Sequence, residues 1–144
     1  MLIQVTSFPA DSKVRELMEY AVGFDPEREK EAWKLYESSK DAELFVYKEE
    51  EQVVGLIGLS FANSEQMNVL HLAIDPEDRF KGYGRGLIVE ALLLKRPRLV
   101  TAVTDEEGAD FFRNIGFTVN GFIPSSGGAE QFRCVYNAGE DNEN

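Results

Sequence analysis

Apolar residues along the chain recur at two spacings, one typical of helices and the other typical of strands. A first helix has apolar residues at the i, i+3, i+4, i+7 spacing of one buried face: Val14, Leu17, Met18 and Ala21. Asp25 followed by Pro26 is a helix start, because aspartate caps the free N–H groups and proline fits the first helical position. Two later helices are predicted, one ended by Pro97 and one stopped by Gly116.

Seven apolar or alternating segments predict strands: residues 2–7, 43–48, 52–61, 66–74, 98–103, 117–123 and 131–136. Gly55 and Gly58 interrupt the third segment, so they either weaken that strand or mark a close backbone approach. The order βααβββαβαββ predicts an α/β (α+β) fold, with helices on both faces of one sheet. We expect a single domain over residues 1–138 and an acidic, disordered tail over residues 139–144.

The net charge of the chain excludes some classes of binding partner. Its 144 residues include 15 Lys and Arg against 26 Asp and Glu, a net charge of −11. A nucleic-acid binder needs a basic face to neutralise phosphates, so we expect no nucleic-acid partner. For the same reason we do not expect the chain to bind an anionic membrane surface.

Targeting signals and metal ligands are scarce in the sequence. The first cation is Lys13 and no apolar run is long enough to span a bilayer, so we expect no signal peptide and no membrane partner. Cys134 has no second cysteine to pair with, so no internal disulfide is expected, and the protein is expected in a reducing cytoplasm. We expect Cys134 to be a small residue of the core. One histidine and one cysteine exclude the usual zinc ligand sets, so we predict no metal.

A glycine-rich loop between a strand and a helix carries the clearest chemical signal. Gly82, Gly84 and Gly86 allow backbone N–H groups to approach a ligand, and the following helix start favours an anion. This loop carries three cations in a chain whose net charge is negative: Arg79, Lys81 and Arg85. The alternative is a tight turn with a solvated basic rim. Leu87 breaks the dinucleotide pattern G-x-G-x-x-G, and no G-K-[ST] of a P-loop follows.

Three segments together resemble one family. Residues 79–84 (RFKGYG) match R-x-x-G-x-G, which is similar to the acetyl-CoA pyrophosphate loop of the GNAT superfamily, the Gcn5-related N-acetyltransferases. Residues 72–76 (LAIDP) resemble the fourth strand of that family, and residues 111–117 (FFRNIGF) resemble its second signature, F-Y-x-x-x-G-F. The resemblance covers nearly the full chain and implies a GNAT-like mixed central sheet.

The resemblance implies acetyl-CoA as cofactor and assigns its contacts. Backbone groups of the fourth strand would pair with the pantetheine arm: Leu72, Ala73 and Ile74. The loop would hold the pyrophosphate through Arg79, Phe80, Lys81, Gly82, Tyr83, Gly84 and Arg85. Asp105 stands where the family often has an asparagine that contacts the cofactor, although an N-cap role, alone or as the alternative to a Thr104–Glu107 capping box, also explains it.

The catalytic positions depart from the family pattern. The usual general-acid tyrosine is Phe112 here, so water or Tyr83 would protonate the CoA thiolate, or the thiolate would leave unassisted. Asn68 stands where a glutamate base is common and cannot act as one. His71 is the candidate base, since its ordinary pKa of about 6.5 suits that task; the alternative is a half-buried strand histidine, with Glu65 acting through water.

The resemblance implies an N-acetyltransferase that acts directly on a primary amine of a small molecule or peptide, without a covalent enzyme intermediate. The acidic surface favours a cationic acceptor. In the family, the regions that wall the acceptor pocket would include Phe24, Trp33, Tyr36 and Phe122, which core packing also explains. The alternative function is a CoA-binding regulatory or sensory module with weak or no catalysis. The chain is expected to be a monomer or a homodimer.

Overall fold

The order of strands and helices in the computed structural model, which describes residues 1–141, matches the predicted order. The strands are β1 (Leu2–Gln4), β2 (Ala42–Glu49), β3 (Gln52–Asn63), β4 (Gln66–Ile74), β5 (Leu99–Thr104), β6 (Thr118–Phe122) and β7 (Gln131–Asn137). The helices are α1 (Ser12–Ala21), α2 (Pro26–Ser38), α3 (Tyr83–Lys95), α4 (Glu106–Asn114) and a short α5 (Ala138–Asp141). A single turn of 3-10 helix, Pro76–Asp78, follows β4. No helix in this part of the chain is both long enough and apolar enough to cross a membrane.

Aspartate carboxylates cap three of the helices, and two of these caps, Asp25 and Asp105, were predicted from the sequence. Asp11 and Asp25 each accept hydrogen bonds from backbone N–H groups in the first turn of α1 and α2. At α4 the Asp105 carboxylate accepts from the backbone N–H of Gly108 at 2.9 Å. Asp105, and not Thr104, therefore caps α4.

The strands follow the order β1-β2-β3-β4-β5-β7-β6 in a seven-stranded sheet. β4 and β5 pair in parallel, whereas β1–β2, β2–β3, β5–β7 and β6–β7 pair antiparallel, so the sheet is mixed as predicted. The parallel register runs from Gln66 opposite Leu99 to Val69 opposite Ala102. β4 continues beyond that register to Ile74.

Contacts divide the chain into two compact units. The first comprises Met1–Ser60 and Leu70–Arg96, and the second comprises Phe61–Val69 with the described residues from Pro97 onward. The first unit therefore holds α1, α2, β2 and α3, and the second holds β5, α4, β6 and β7. A single domain over residues 1–138 stays a prediction.

In the first unit, alternation along β2 decides which helix each side chain meets. Leu44 and Val46 are buried in a core with residues of α1 and α2. Phe45 points the other way, and the Lys95 ammonium of α3 lies 5.6 Å from its ring centre. Successive side chains of a strand point to opposite faces, so this unit has helices on both faces of its strands.

The core of the second unit forms where α4 packs on β5, β6 and β7. Ala109, Phe112, Phe117 and Cys134 are buried there. Burial raises the pKa of the Cys134 thiol, although the Arg113 charge opposes this effect. The prediction that Cys134 is a small core residue is confirmed.

The bounds of the predicted strands mostly differ from the structure by no more than two residues, and the larger differences lie near the two ends of the chain. The first strand stops at Gln4 instead of residue 7, although the Val5 backbone N–H still donates to the Leu44 carbonyl at 2.8 Å. The predicted disordered tail begins inside α5, because the Gly139 backbone N–H donates to the Arg98 carbonyl at 2.9 Å and holds this turn. Residues 142–144 of the predicted tail lie outside the described residues.

Candidate active site

The loop before α3 exposes the start of that helix. Gly82 is the N-cap residue of α3, has a φ of +84°, and supplies no side-chain hydrogen bond to the helix. An L-residue adopts this left-handed backbone at a cost, so the position favours glycine. The first N–H groups of α3 are thus left without the aspartate cap that α1, α2 and α4 have. Such groups carry a partial positive charge and favour an anion.

Phe80, next in this loop, combines two unusual features. Its side chain is fully exposed, at 105% of the reference area, and its φ is +66°. A left-handed backbone is uncommon for a bulky residue, because its Cβ crowds the neighbouring carbonyl. Phe80 thus lies in a turn of the chain just before α3 begins.

The three predicted cations surround this loop in different states. The Arg79 guanidinium lies 5.6 Å from the ring centre of Tyr20 on α1, within the range of a cation–π contact. The Lys81 ammonium lies 3.3 Å from a carboxylate oxygen of Asp78. The Arg85 side chain is exposed in the first turn of α3. Tyr20 was not predicted, because nothing local to a helix residue indicates a partner in a distant loop.

Asp75 fixes the turn from β4 into the loop. Its residue is only 6% exposed, and its carboxylate pairs with the Lys13 ammonium of α1 and accepts from the Glu77 backbone N–H at 2.9 Å. Its own backbone N–H donates to the Val54 carbonyl at 2.8 Å. A buried carboxylate is tolerated only when paired, so the loop start is held by α1 and β3 together.

The predicted pantetheine segment lies on β4 beyond the parallel register. The register with β5 ends at Val69, and Leu72, Ala73 and Ile74 follow it on the same strand. Ala73 is buried, and its two neighbours are half-buried. Extended backbone beyond a ladder has N–H and C=O groups that an amide-containing chain can pair with.

The glycines within β3 mark close approaches. A Cβ at Gly55 would lie 2.8 Å from Cδ1 of Ile74. A Cβ at Gly58 would lie 1.8 Å from the hydroxyl oxygen of Tyr36 and 3.2 Å from Nδ1 of His71. Of the two interpretations that the sequence left open, the structure supports the close approach.

His71 is hydrogen-bonded to a buried tyrosine. Its Nδ1 lies 2.6 Å from the Tyr36 hydroxyl oxygen, and the two rings meet edge to face at 5.5 Å. Burial and, to a smaller extent, the positive charge of Arg28 together lower the pKa of His71 to about 4. Burial also raises the pKa of Tyr36. At neutral pH both groups are therefore uncharged.

Tyr83, the candidate acid, lies on a different face of the first unit. Its ring centre is 6.0 Å from that of Tyr47, on the α3 side of β2, whereas His71 meets Tyr36 on the α2 side. Burial, assisted by Glu49 and Glu90, raises the pKa of Tyr47 to about 12. The structure does not bring Tyr83 and His71 together.

Phe112 and Asp105 lie in the second unit. Phe112 is buried, with ring centres 5.1 Å from Phe111 and 5.0 Å from Phe117, and this packing accounts for its presence. Asn68 accepts a hydrogen bond from the Thr101 hydroxyl. Within residues 1–141, no group of His, Cys, Asp and Glu side chains is arranged to hold a metal ion.

Known proteins resemble this chain in sequence and in fold. The family model described as acetyltransferase (GNAT) domain matches residues 40–119. An uncharacterized N-acetyltransferase of Bacillus methanolicus is 33% identical over 64 residues, which are 44% of this chain and 53% of that protein. The match thus spans about half the length of that curated relative.

Solved structures share the fold at low sequence identity. A GNAT-family protein from Desulfovibrio desulfuricans superposes with a TM-score of 0.76 at 17% identity, covering 95% of this chain and 98% of that one. A GNAT-family acetyltransferase from Elizabethkingia anophelis, solved with acetyl-CoA bound, superposes with a TM-score of 0.70 at 12% identity, covering 95% and 97%. At these identities the likeness establishes the fold.

Proposed function

Because this chain belongs to the GNAT acetyltransferase family, we propose that it transfers the acetyl group of acetyl-CoA to a primary amine of a small molecule or a peptide. The observation that carries the proposal is the uncapped start of α3, which stands beside three cations in a chain of net charge −11. A pyrophosphate would neutralise those cations and accept hydrogen bonds from the free N–H groups.

The residues present fit acetyl-CoA. Arg79, Lys81 and Arg85 would meet the phosphates, and the backbone of the loop from Phe80 onward would donate to them. Leu72, Ala73 and Ile74 would pair with the amides of the pantetheine arm. A cofactor contact by Asp105 stays a prediction, since its carboxylate already caps α4. The acetyl-CoA bound in the Elizabethkingia relative supports this choice of donor.

In the proposed reaction the acetyl group passes directly from CoA to the amine, and no group on the protein becomes acylated. The amine nitrogen attacks the thioester carbonyl carbon with its lone pair, and a C–N bond forms. The C–S bond then breaks, and its electron pair goes to sulfur. The nitrogen loses one proton to solvent, and the thiolate takes one proton up, so the products are an acetamide and free CoA.

Proton delivery to the thiolate has two sources in this proposal. The second-signature position holds the buried Phe112, which has no hydroxyl. Water or Tyr83 is then the donor, and a thiol of pKa near 8.5 needs little assistance to leave. Losing one general acid costs about 10²–10⁴ in rate, which leaves measurable catalysis.

A second candidate function is a CoA-binding regulatory or sensory module. Two observations favour it: Phe112 is packed in the core, and Asn68 is hydrogen-bonded to Thr101 at the position where a base is common. Such a module would bind CoA through the same loop and release no thiol.

The test combines binding with turnover. Thermal unfolding of the purified protein is measured with and without acetyl-CoA, and free thiol is then followed with a polyamine, an aminoglycoside, amino acids and a peptide N-terminus. Stabilisation together with thiol release on one amine supports the transferase. Stabilisation without release on any amine favours the binding module, and no stabilisation refutes both.

A charge added to the loop tests the site itself. Gly84→Glu places a carboxylate in the first turn of α3, where it favours the helix but repels a pyrophosphate. We expect acetyl-CoA affinity to fall at least about tenfold, since one repulsive contact of about 1.4 kcal/mol suffices. The matched control is Ser12→Glu, which adds the same charge to the first turn of α1. Unchanged affinity in Gly84→Glu would contradict the assignment of the loop.

A further inference from the structure

The surroundings of the hydrogen bond between Tyr36 and His71 determine which of the two groups donates the proton. The Tyr36 hydroxyl is buried against Gly58, in the space that a side chain at that position would occupy. In the described part of the chain, Nδ1 of His71 is the partner of this hydroxyl. A buried O–H without an acceptor costs about 1–3 kcal/mol, so Tyr36 donates its proton and Nδ1 accepts it.

This direction fixes the tautomer of the imidazole. A neutral ring carries one proton, and Nδ1 uses its lone pair to accept from Tyr36, so the proton resides on Nε2. The ring stays neutral at physiological pH, because burial and Arg28 hold the pKa of His71 at about 4. His71 is half-buried, and Nε2 makes no hydrogen bond to residues 1–141. It therefore presents a free N–H donor.

We propose that His71 donates this hydrogen bond from Nε2 to the carbonyl oxygen of the bound thioester, and that Tyr36 is a positioning residue that fixes the donating tautomer. The inference rests on the proposed function. It replaces the role of His71 as a base, because neither ring nitrogen keeps a lone pair for the proton of an amine.

The position of His71 on β4 suits this role. If the pyrophosphate lies at the start of α3, the pantetheine arm runs back along Ile74, Ala73 and Leu72, and its thioester end reaches the neighbourhood of His71. Negative charge develops on the carbonyl oxygen as the amine attacks. A preorganised neutral donor stabilises that charge and keeps its own proton throughout, so no separate step must restore it.

The tautomer can be read directly, because the chain has one histidine. The ring nitrogens of ¹⁵N-labelled, untagged protein are observed by NMR between about pH 8 and about pH 5. We expect a neutral ring protonated on Nε2 throughout, and both forms in Tyr36→Phe. Tyr136→Phe, which removes a hydroxyl from the second unit, should leave the tautomer unchanged. A ring protonated on Nδ1, or a titration near pH 6.5, would overturn the inference.

Two substitutions separate a donor from a base. His71→Gln keeps an N–H at about the distance of Nε2 but cannot act as a base, whereas His71→Leu keeps neither property. We expect kcat to fall about 10²–10³-fold in His71→Leu and less than about tenfold in His71→Gln. Equal losses in the two variants would refute the donor role.

The part played by Tyr36 is tested through coupling. Tyr36→Phe should lower kcat with little change in KM, and it should have no further effect in a His71→Gln background, where no tautomer remains to be fixed. Among residues 1–141, the groups that act on the ring are the hydroxyl of Tyr36 and the charge of Arg28, both on α2, so the kcat profile should show no ionisation near pH 6.5. Absence of thiol release with every amine would overturn the proposed function and the donor role together, whereas a failed tautomer result would overturn the donor role alone.

Discussion

At Gly58, a missing side chain decides the chemistry of two other residues. Any Cβ there would overlap the Tyr36 hydroxyl, so only glycine allows Tyr36 to reach Nδ1 of His71. From the sequence, this close approach was one of two interpretations of a glycine inside an apolar strand. It could not name the approaching group, since Tyr36 lies on a helix and looks like an ordinary apolar-face residue there.

Gly58→Ala should therefore destabilise the protein. The added methyl group displaces the Tyr36 ring from a packed core, which costs about 1–3 kcal/mol in the free energy of unfolding. Chemical denaturation measures this loss, and the NMR of His71 should show both tautomers.

The control is a glycine with room around it. A Cβ at Gly86 on α3 meets only the Tyr47 hydroxyl oxygen, at 3.8 Å. Gly86→Ala should stabilise the protein by up to about 1 kcal/mol, because alanine favours helix. Equal stability of Gly58→Ala and the wild type would mean that the Tyr36 ring moves without cost.

The β2–β3 hairpin shows how far a local pattern reaches. The polar run Glu49-Glu50-Glu51 falls between two segments predicted as strands, and the structure has a turn there, with Glu49 paired to Gln52. Its two central residues, Glu50 and Glu51, have φ values of +49° and +69°. A two-residue turn needs such a backbone to follow the twist of the strands, and Asn-Gly adopts it most readily.

Replacing the turn should stabilise the hairpin. The double substitution Glu50→Asn, Glu51→Gly relieves a left-handed backbone that costs about 1–2 kcal/mol per ordinary residue, so we expect about 1–2 kcal/mol in the free energy of unfolding. Glu50→Gln with Glu51→Gln removes the same charges and keeps the strain, and it should gain less. A larger gain in the glutamine variant would show that charge repulsion dominates.

The distribution of charge over the whole chain sets the expectation for its substrates. The net charge of −11 contrasts with the three cations at the start of α3. A phosphate-bearing donor suits the cations, whereas the remaining acidic residues would attract an acceptor of positive charge over distances within the Debye length.

Ionic strength should separate these two contributions. If a cationic amine is the acceptor, its KM should rise several-fold between about 0.05 M and about 0.5 M salt while kcat changes little, because salt screens long-range attraction. A diamine should respond more strongly than a monoamine. A KM that is independent of salt would mean that the acidity serves solubility alone.

Helix caps, strand periods and the two GNAT signatures could all be predicted from the sequence, because each depends on residues that are neighbours along the chain. Asp25 and Asp105 cap their helices for this reason, and the glycine loop precedes α3 where the pattern placed it. The same local patterns indicated the family, and the assignment of the glycine loop to acetyl-CoA stays a prediction.

The contacts of the site residues with distant parts of the chain could be seen only in the tertiary structure. Tyr36 meets His71, Tyr20 meets Arg79, and Lys13 meets Asp75, each pair joining a helix to a distant strand or loop. Side-chain period tells which face a residue occupies but not what packs against that face. Packing against Tyr36 shields His71 from water, and the Tyr36 hydroxyl donates a hydrogen bond to Nδ1. Because of this contact, the candidate base is a neutral ring with its proton on Nε2.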